Sequence, residues 1–77
     1  MIDISFSSNK RHLFVMTTSP GENGFEYGFC CLGGQEILFS VLDLSPSRTF
    51  VERVVRFFNR IQPEPDKIPD YIESLLS

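Results

Sequence analysis

His12 is the single histidine of this chain, and its only two cysteines, Cys30 and Cys31, are neighbours. General acid or base work by His12 requires a nucleophile or a carboxylate held beside it. No Ser-His-Asp or Cys-His-Asn spacing supplies one, so His12 reads as a surface histidine at a strand end. Neighbouring side chains on a strand point to opposite faces, so Cys30 and Cys31 cannot chelate one ion together. No second cysteine pair and no histidine cluster completes a metal site. The pair reads instead as one buried small hydrophobe and one partly covered thiol. A disulfide between neighbours needs strained geometry, which argues for a reducing, cytoplasmic setting.

Other candidate motifs are similarly weak. Gly33-Gly34 lacks the spacing of a phosphate-cradling loop and lies between two strand patterns rather than before a helix. Glu64, Asp66, Asp70 and Glu73 do not have the organised oxygen spacing of a cation loop and read as a solvated acidic face. The expectation is a chain with no catalytic, cofactor-binding or metal-binding residues, and not an enzyme.

One set of residues does suggest contact with a partner. Arg53, Arg56 and Arg60 recur along one flank of a helical pattern, with Arg48 near its start, a spacing that suits a phosphate backbone. Ten acids against seven bases give a net charge of −3, and an acidic balance favours a solvated flank over a nucleic-acid footprint. Phe57 lies between Arg53 and Arg60, and arginine beside an aromatic ring is common at protein interfaces. Arg53, Arg56, Phe57 and Arg60 are therefore the candidate partner-binding edge.

The element that carries this edge organises the chain. From Asp43 to Gln62, Phe50, Val51, Val54, Val55, Phe58 and Ile61 form one apolar stripe at helical spacing. Ser45 before Pro46 is a favoured helix start, with Thr49-x-x-Glu52 as a competing capping box. Glu52 and Arg56 have the spacing of a surface ion pair. Pro63-Glu64-Pro65 ends the helix. Ile68, Tyr71, Ile72, Leu75 and Leu76 then repeat the helical period, with Pro69 in the first turn.

Upstream the pattern alternates as in strands. Ile2, Ile4 and Phe6 give a first short strand, and His12 to Thr17 a second. Thr18 to Gly24, with its Pro-Gly and Asn-Gly steps, reads as an exposed loop. Phe25 to Leu32 and Gln35 to Leu42 flank Gly33-Gly34 as a hairpin. A turn at those two glycines sets Phe29 opposite Leu38, Tyr27 opposite Ser40 and Gly28 opposite Phe39. This register leaves apolar residues on both faces of the last strand, so one face needs cover from something other than the helices.

The order Tyr27-Gly28-Phe29, Val41-Leu42-Asp43-Leu44-Ser45, Phe50-Val51-Glu52-Arg53-Val54-Val55, Asn59-Arg60 and Asp70-Tyr71-Ile72-Glu73-Ser74-Leu75-Leu76 resembles a family of small uncharacterised proteins of Firmicutes bacteria. The resemblance covers roughly the C-terminal two thirds of the chain, an extent judged from pattern alone. It implies a bacterial cytoplasmic origin and a shared fold, and no activity. Pro63, Pro65 and Pro69 depart from that pattern at the helix–helix connection.

The sequence therefore predicts a single α+β domain over 1–77. An antiparallel meander of three or four strands lies within 2–42, followed by two helices, about 46–61 and 66–76, on one face. Seventy-seven residues bury only about 60% of their unfolded surface, which leaves a small core. Eight phenylalanines without a tryptophan must fill much of it. The apolar runs fall far short of the roughly 20 residues that span a bilayer, and Met1-Ile2-Asp3-Ile4-Ser5 has no signal-peptide pattern. The expected function is a cytoplasmic, non-enzymatic interaction or regulatory module, a homodimer or the binder of another protein. The alternative is a nucleic-acid-associated protein using the arginine edge. A ligand pocket near Tyr27 and Tyr71 is the least favoured, because so short a chain rarely encloses one.

Overall fold

In the computed structural model, which describes residues 11–76, three antiparallel strands are followed by two helices. The strands are β1 (Leu13–Gly21), β2 (Gly24–Gly33) and β3 (Glu36–Ser45), in the spatial order β1-β2-β3. The helices are α1 (Arg48–Ile61) and α2 (Ile68–Leu76), with a 3₁₀ turn at Pro65–Lys67 between them. The architecture is the α+β class expected from strands followed by helices. The strand expected at residues 2–7 lies outside the described residues.

The stretch expected as a loop after Thr17 is mostly strand. β1 continues to Gly21, and only Glu22 and Asn23 form the turn to Gly24. Pro20 is tolerated there, opposite Phe25, because β1 is an edge strand and a missing N–H costs no inner ladder bond. Gly24, at a φ of 129°, supplies the turn conformation that other residues resist.

The second hairpin turns at Gly34-Gln35 rather than Gly33-Gly34, and Gly33 pairs with Glu36. Gly34 has a φ of 65°, so the left-handed position falls on the second glycine. Two register shifts in the β2–β3 ladder then place Cys31 opposite Phe39 and Phe29 opposite Val41. The predicted pairs Phe29–Leu38, Tyr27–Ser40 and Gly28–Phe39 do not form. Gly28 instead abuts the β3 backbone. A Cβ there would lie 1.9 Å from the Val41 carbonyl oxygen and 2.7 Å from the Leu42 carbonyl carbon.

The first helix starts at Arg48 with Ser47 as its N-cap, the Phe50 N–H donating to Ser47 Oγ at 3.2 Å. Neither Ser45 nor Thr49 is the cap. Ser45 is still in β3, paired with Tyr27, and its Oγ accepts from the Ser47 N–H. The ion pair of the helix is Arg48 with Glu52 at 3.1 Å, not Glu52 with Arg56. Both partners are largely exposed, so it adds little to stability.

Val51, Val54 and Phe58 of the predicted stripe are buried, Phe50 and Val55 are half-buried, and Ile61 is partly exposed at the helix end. The core is aromatic. Rings of Phe14, Phe29 and Phe58 form a triangle with centroid separations of 6.1, 5.4 and 5.4 Å. Phe39 stacks on Phe29 from β3, and Tyr71 meets Phe58 edge-on from α2. Ile68 anchors the start of α2 in the same cluster. Both strand layer and helices thus meet through offset and edge-on rings, the favoured arrangement of aromatic pairs.

Candidate functional site

Alternation along the strands divides the sheet into two faces. Phe14, Phe29, Cys31, Phe39 and Val41 point toward the helices and join the core. Leu13, Val15, Cys30, Leu32, Ile37, Ser40 and Leu42 take the other side by the same register. Among the described residues no element covers this second face. Exposure across it is uneven. Val15, Cys30 and Leu32 are half-buried, whereas Ile37 and Leu42 on β3 are 66% and 54% exposed.

The edges of the sheet differ as well. At β1 the side-chain amide of Asn59 accepts from the Phe14 N–H and donates to the Phe14 carbonyl, both at 2.9 Å. Gln62 repeats the pattern one strand step away, accepting from the His12 N–H at 2.7 Å and donating to the His12 carbonyl at 2.9 Å. Two side chains of α1 and its C-terminal cap therefore stand in for a strand. Arg11 adds a bond to the Asn59 carbonyl. Gln62 sits at a φ of 54° as the left-handed residue ending the helix, a position where glycine is usual. Its three side-chain bonds offset that strain.

The predicted partner edge is divided by the structure. Arg53, Arg56 and Arg60 are exposed on the outer face of α1, and among the described residues none is in a salt bridge. Phe57 is half-buried, its ring 5.8 Å from Phe58 and 6.3 Å from Tyr71, so it belongs to the core margin. An open depression of about 300 Å³ lies among these four residues. All four come from one helix, so the depression has no opposing wall to fix a ligand.

Cys31 is buried and Cys30 half-buried, both as free thiols. Burial first, and the neighbouring Cys30 second, raise the Cys31 thiol above its ordinary value of 9.0. That makes it less reactive, the opposite of an activated cysteine. His12 is tied by its backbone to Gln62. Among the described residues no three His, Cys, Asp or Glu side chains converge as a metal site would need.

A groove of about 870 Å³ runs along the far end of the open face, lined by Ser19, Glu22, Glu26, Ser40, Leu42 and Asp43 among others. Its lining combines carboxylates and hydroxyls, with neither of the cysteines and not the histidine among them. Tyr71 lines a shallow depression with Lys67, Asp70 and Ser74. No helix among the described residues is long and apolar enough to cross a membrane. Compared with models of protein families, with curated proteins and with solved structures, the chain matches none.

The excess of apolar residues on both sides of the last strand was visible in the sequence. The amide pairing of Asn59 and Gln62 was not. It joins residues 45 and 50 positions apart in the chain, and neither residue type signals such a role by itself.

Proposed function

We propose that this chain is a non-enzymatic interaction module of the cytoplasm that works as a self-associated assembly. The observation that carries the reading is the sheet face turned away from the helices, where Ile37 and Leu42 are exposed on β3. A small chain buries too little surface for a large core, and association with a second copy removes such side chains from water. At roughly 25 cal/mol per Å² of apolar surface, burying two or three large side chains per copy contributes several kcal/mol toward association. The free thiols of Cys30 and Cys31 suit a reducing compartment. Sedimentation equilibrium tests the reading. The expected result is a dimer or larger species in the micromolar range, and a monomer persisting to about millimolar concentration overturns it.

A second reading is favoured by one observation: the three exposed arginines of α1 are in no salt bridge among the described residues. On that reading Arg53, Arg56 and Arg60 contact a phosphate backbone. It predicts binding to nucleic acid that falls steeply with salt and weakens on Arg56→Ala. No binding at low salt removes it.

A further inference from the structure

Charge is segregated between the sheet and the first helix. From His12 to Ser47 there is no lysine or arginine, and Glu22, Glu26, Glu36 and Asp43 are acidic. Helix α1 has the reverse composition: Arg48, Arg53, Arg56 and Arg60 against the single acid Glu52. Arg48 is paired with Glu52, which leaves the cations Arg53, Arg56 and Arg60 exposed. Among the described residues no salt bridge joins these arginines to the carboxylates of the sheet. The reason is architectural. α1 packs on the face of Phe14, Phe29 and Phe39. Ser19, Glu26 and Ser40 belong by register to the opposite face, so the sheet itself stands between the two sets of charges.

Shape follows the same division. Glu22, Glu26 and Asp43 line the groove of about 870 Å³ together with Ser19, Ser40 and Leu42, and no lysine or arginine is in its lining. Ser19 Oγ donates to the Leu42 carbonyl across β2 at 3.4 Å, which ties the β1 wall of the groove to its β3 wall. The arginines project instead from a convex helix surface. At 1.5 Å of rise per residue, Arg53 to Arg60 is a ridge about 10 Å long. One side of the molecule is convex and cationic, the other concave and anionic, and a single copy cannot bring them together.

Resting on the reading that the chain self-associates, we infer that the contact is head to tail: the Arg53, Arg56 and Arg60 edge of one copy sits in the Glu22, Glu26 and Asp43 groove of the next. Complementary potentials orient a partner and exclude wrong ones. The same charges oppose the symmetric alternatives, because two grooves set together confront carboxylates and two α1 edges confront arginines. The contact also brings Leu42, 54% exposed in the groove wall, against the ridge that holds the half-buried Phe57, so apolar burial adds to charge pairing. Joining two different surfaces leaves each copy with a free groove or a free edge. Association therefore continues past the dimer, to a ring or a filament.

The test is sedimentation of the full chain in sodium chloride from about 0.1 to 1 M, over which the screening length shortens from about 10 Å to about 3 Å. Two variants accompany it. Arg53→Gln with Arg56→Gln neutralises the edge, and Glu22→Gln with Glu26→Gln neutralises the groove; none of the four residues is in the core. The expected result is growth beyond a dimer at low salt, weakened about tenfold or more at high salt and by either variant. Mixed in equal amounts, the two variants should form a 1:1 complex and stop there, since one supplies the only intact groove and the other the only intact edge. A chain monomeric throughout the salt range overturns the self-association reading and this inference with it. Assembly that ignores salt and survives in both variants overturns the inference alone, assigning the contact to the apolar sheet face. An unaltered chain that stops at a dimer, or weakened variants that fail to rescue each other, overturn it as well. A monomer whose arginine edge binds nucleic acid at low salt gives that edge to the other partner and also overturns it. If a variant fails to fold by circular dichroism, the salt series on the unaltered chain decides by itself.

Discussion

The side-chain amide of Asn59 pairs with the backbone of Phe14 in both directions, at 2.9 Å each way. One residue thereby fixes where α1 lies on the sheet and closes the β1 edge at that position. Phe14 is simultaneously a corner of the aromatic core, so edge protection and core packing are coupled through it.

Asn59→Ala removes both bonds and returns the Phe14 N–H and carbonyl to water. The expected loss is about 2 kcal/mol, from two net hydrogen bonds of roughly 1 kcal/mol each. Urea denaturation measures it, and faster exchange of the Phe14 amide in the native state localises it. A change below about 0.5 kcal/mol, the range of ordinary surface substitutions, refutes the structural role of the amide.

Gly28 is the position least tolerant of a side chain. A Cβ would sit 1.9 Å from the Val41 carbonyl oxygen, a backbone atom that cannot swing aside. Gly28→Ala must push β3 away from β2 at its register shift, and overpacking of this kind costs about 3 kcal/mol. Thermal denaturation of the variant should show the loss, whereas an unchanged midpoint contradicts this register.

Phe58 contacts the rings of Phe14, Phe29, Phe57 and Tyr71 and is fully buried. Phe58→Ala is expected to cost about 4 kcal/mol. Small domains have roughly 0.05–0.15 kcal/mol of stability per residue, so this removes much or all of the total. Loss of a cooperative unfolding transition by circular dichroism is the expected outcome. Phe57→Ala, at the half-buried margin, should cost clearly less.

Cys31 gives a pH dependence with a definite sign. Its thiol is raised in the fold by burial and by Cys30, so the unfolded chain loses this proton first as pH rises. The folded state then binds more protons than the unfolded one, and stability falls. The contribution is intact below about pH 9, the ordinary thiol value, and is lost as pH climbs above it. Denaturant midpoints from pH 7 to 10 should decline at the alkaline end, and Cys31→Ala should flatten that decline. Thiol labelling offers a second readout: Cys30 should react in the native protein, and Cys31 only as the chain unfolds.

Much of the architecture was legible in local pattern. The apolar spacing of Val51, Val54 and Phe58 specified the buried side of α1, and Pro63-Glu64-Pro65 marked its end. The alternation of Phe25 to Leu42 specified two strands with apolar side chains on both faces. These features depend on a side chain's own position within its element, so period and turn chemistry suffice to read them. The helix cap was misplaced for a related reason: Ser45 and Ser47 are chemically equivalent candidates, and only the pairing of Ser45 with Tyr27 makes Ser47 the cap.

The sequence by itself determined the α+β class, the helix stripe and the surplus of apolar residues on the sheet. The tertiary structure decided the register, because the ladder shifts at two places, and at one of them the Val41–Leu42 backbone lies against Gly28. It also decided which edge is closed. Asn59 and Gln62 reach Phe14 and His12 only once the Phe14, Phe29 and Phe58 rings have seated α1 on the sheet, and the order of strands then leaves β3 on the outside. Hydrogen bonds between residues so far apart in the chain have no local signature, since their partners meet only after the core has formed.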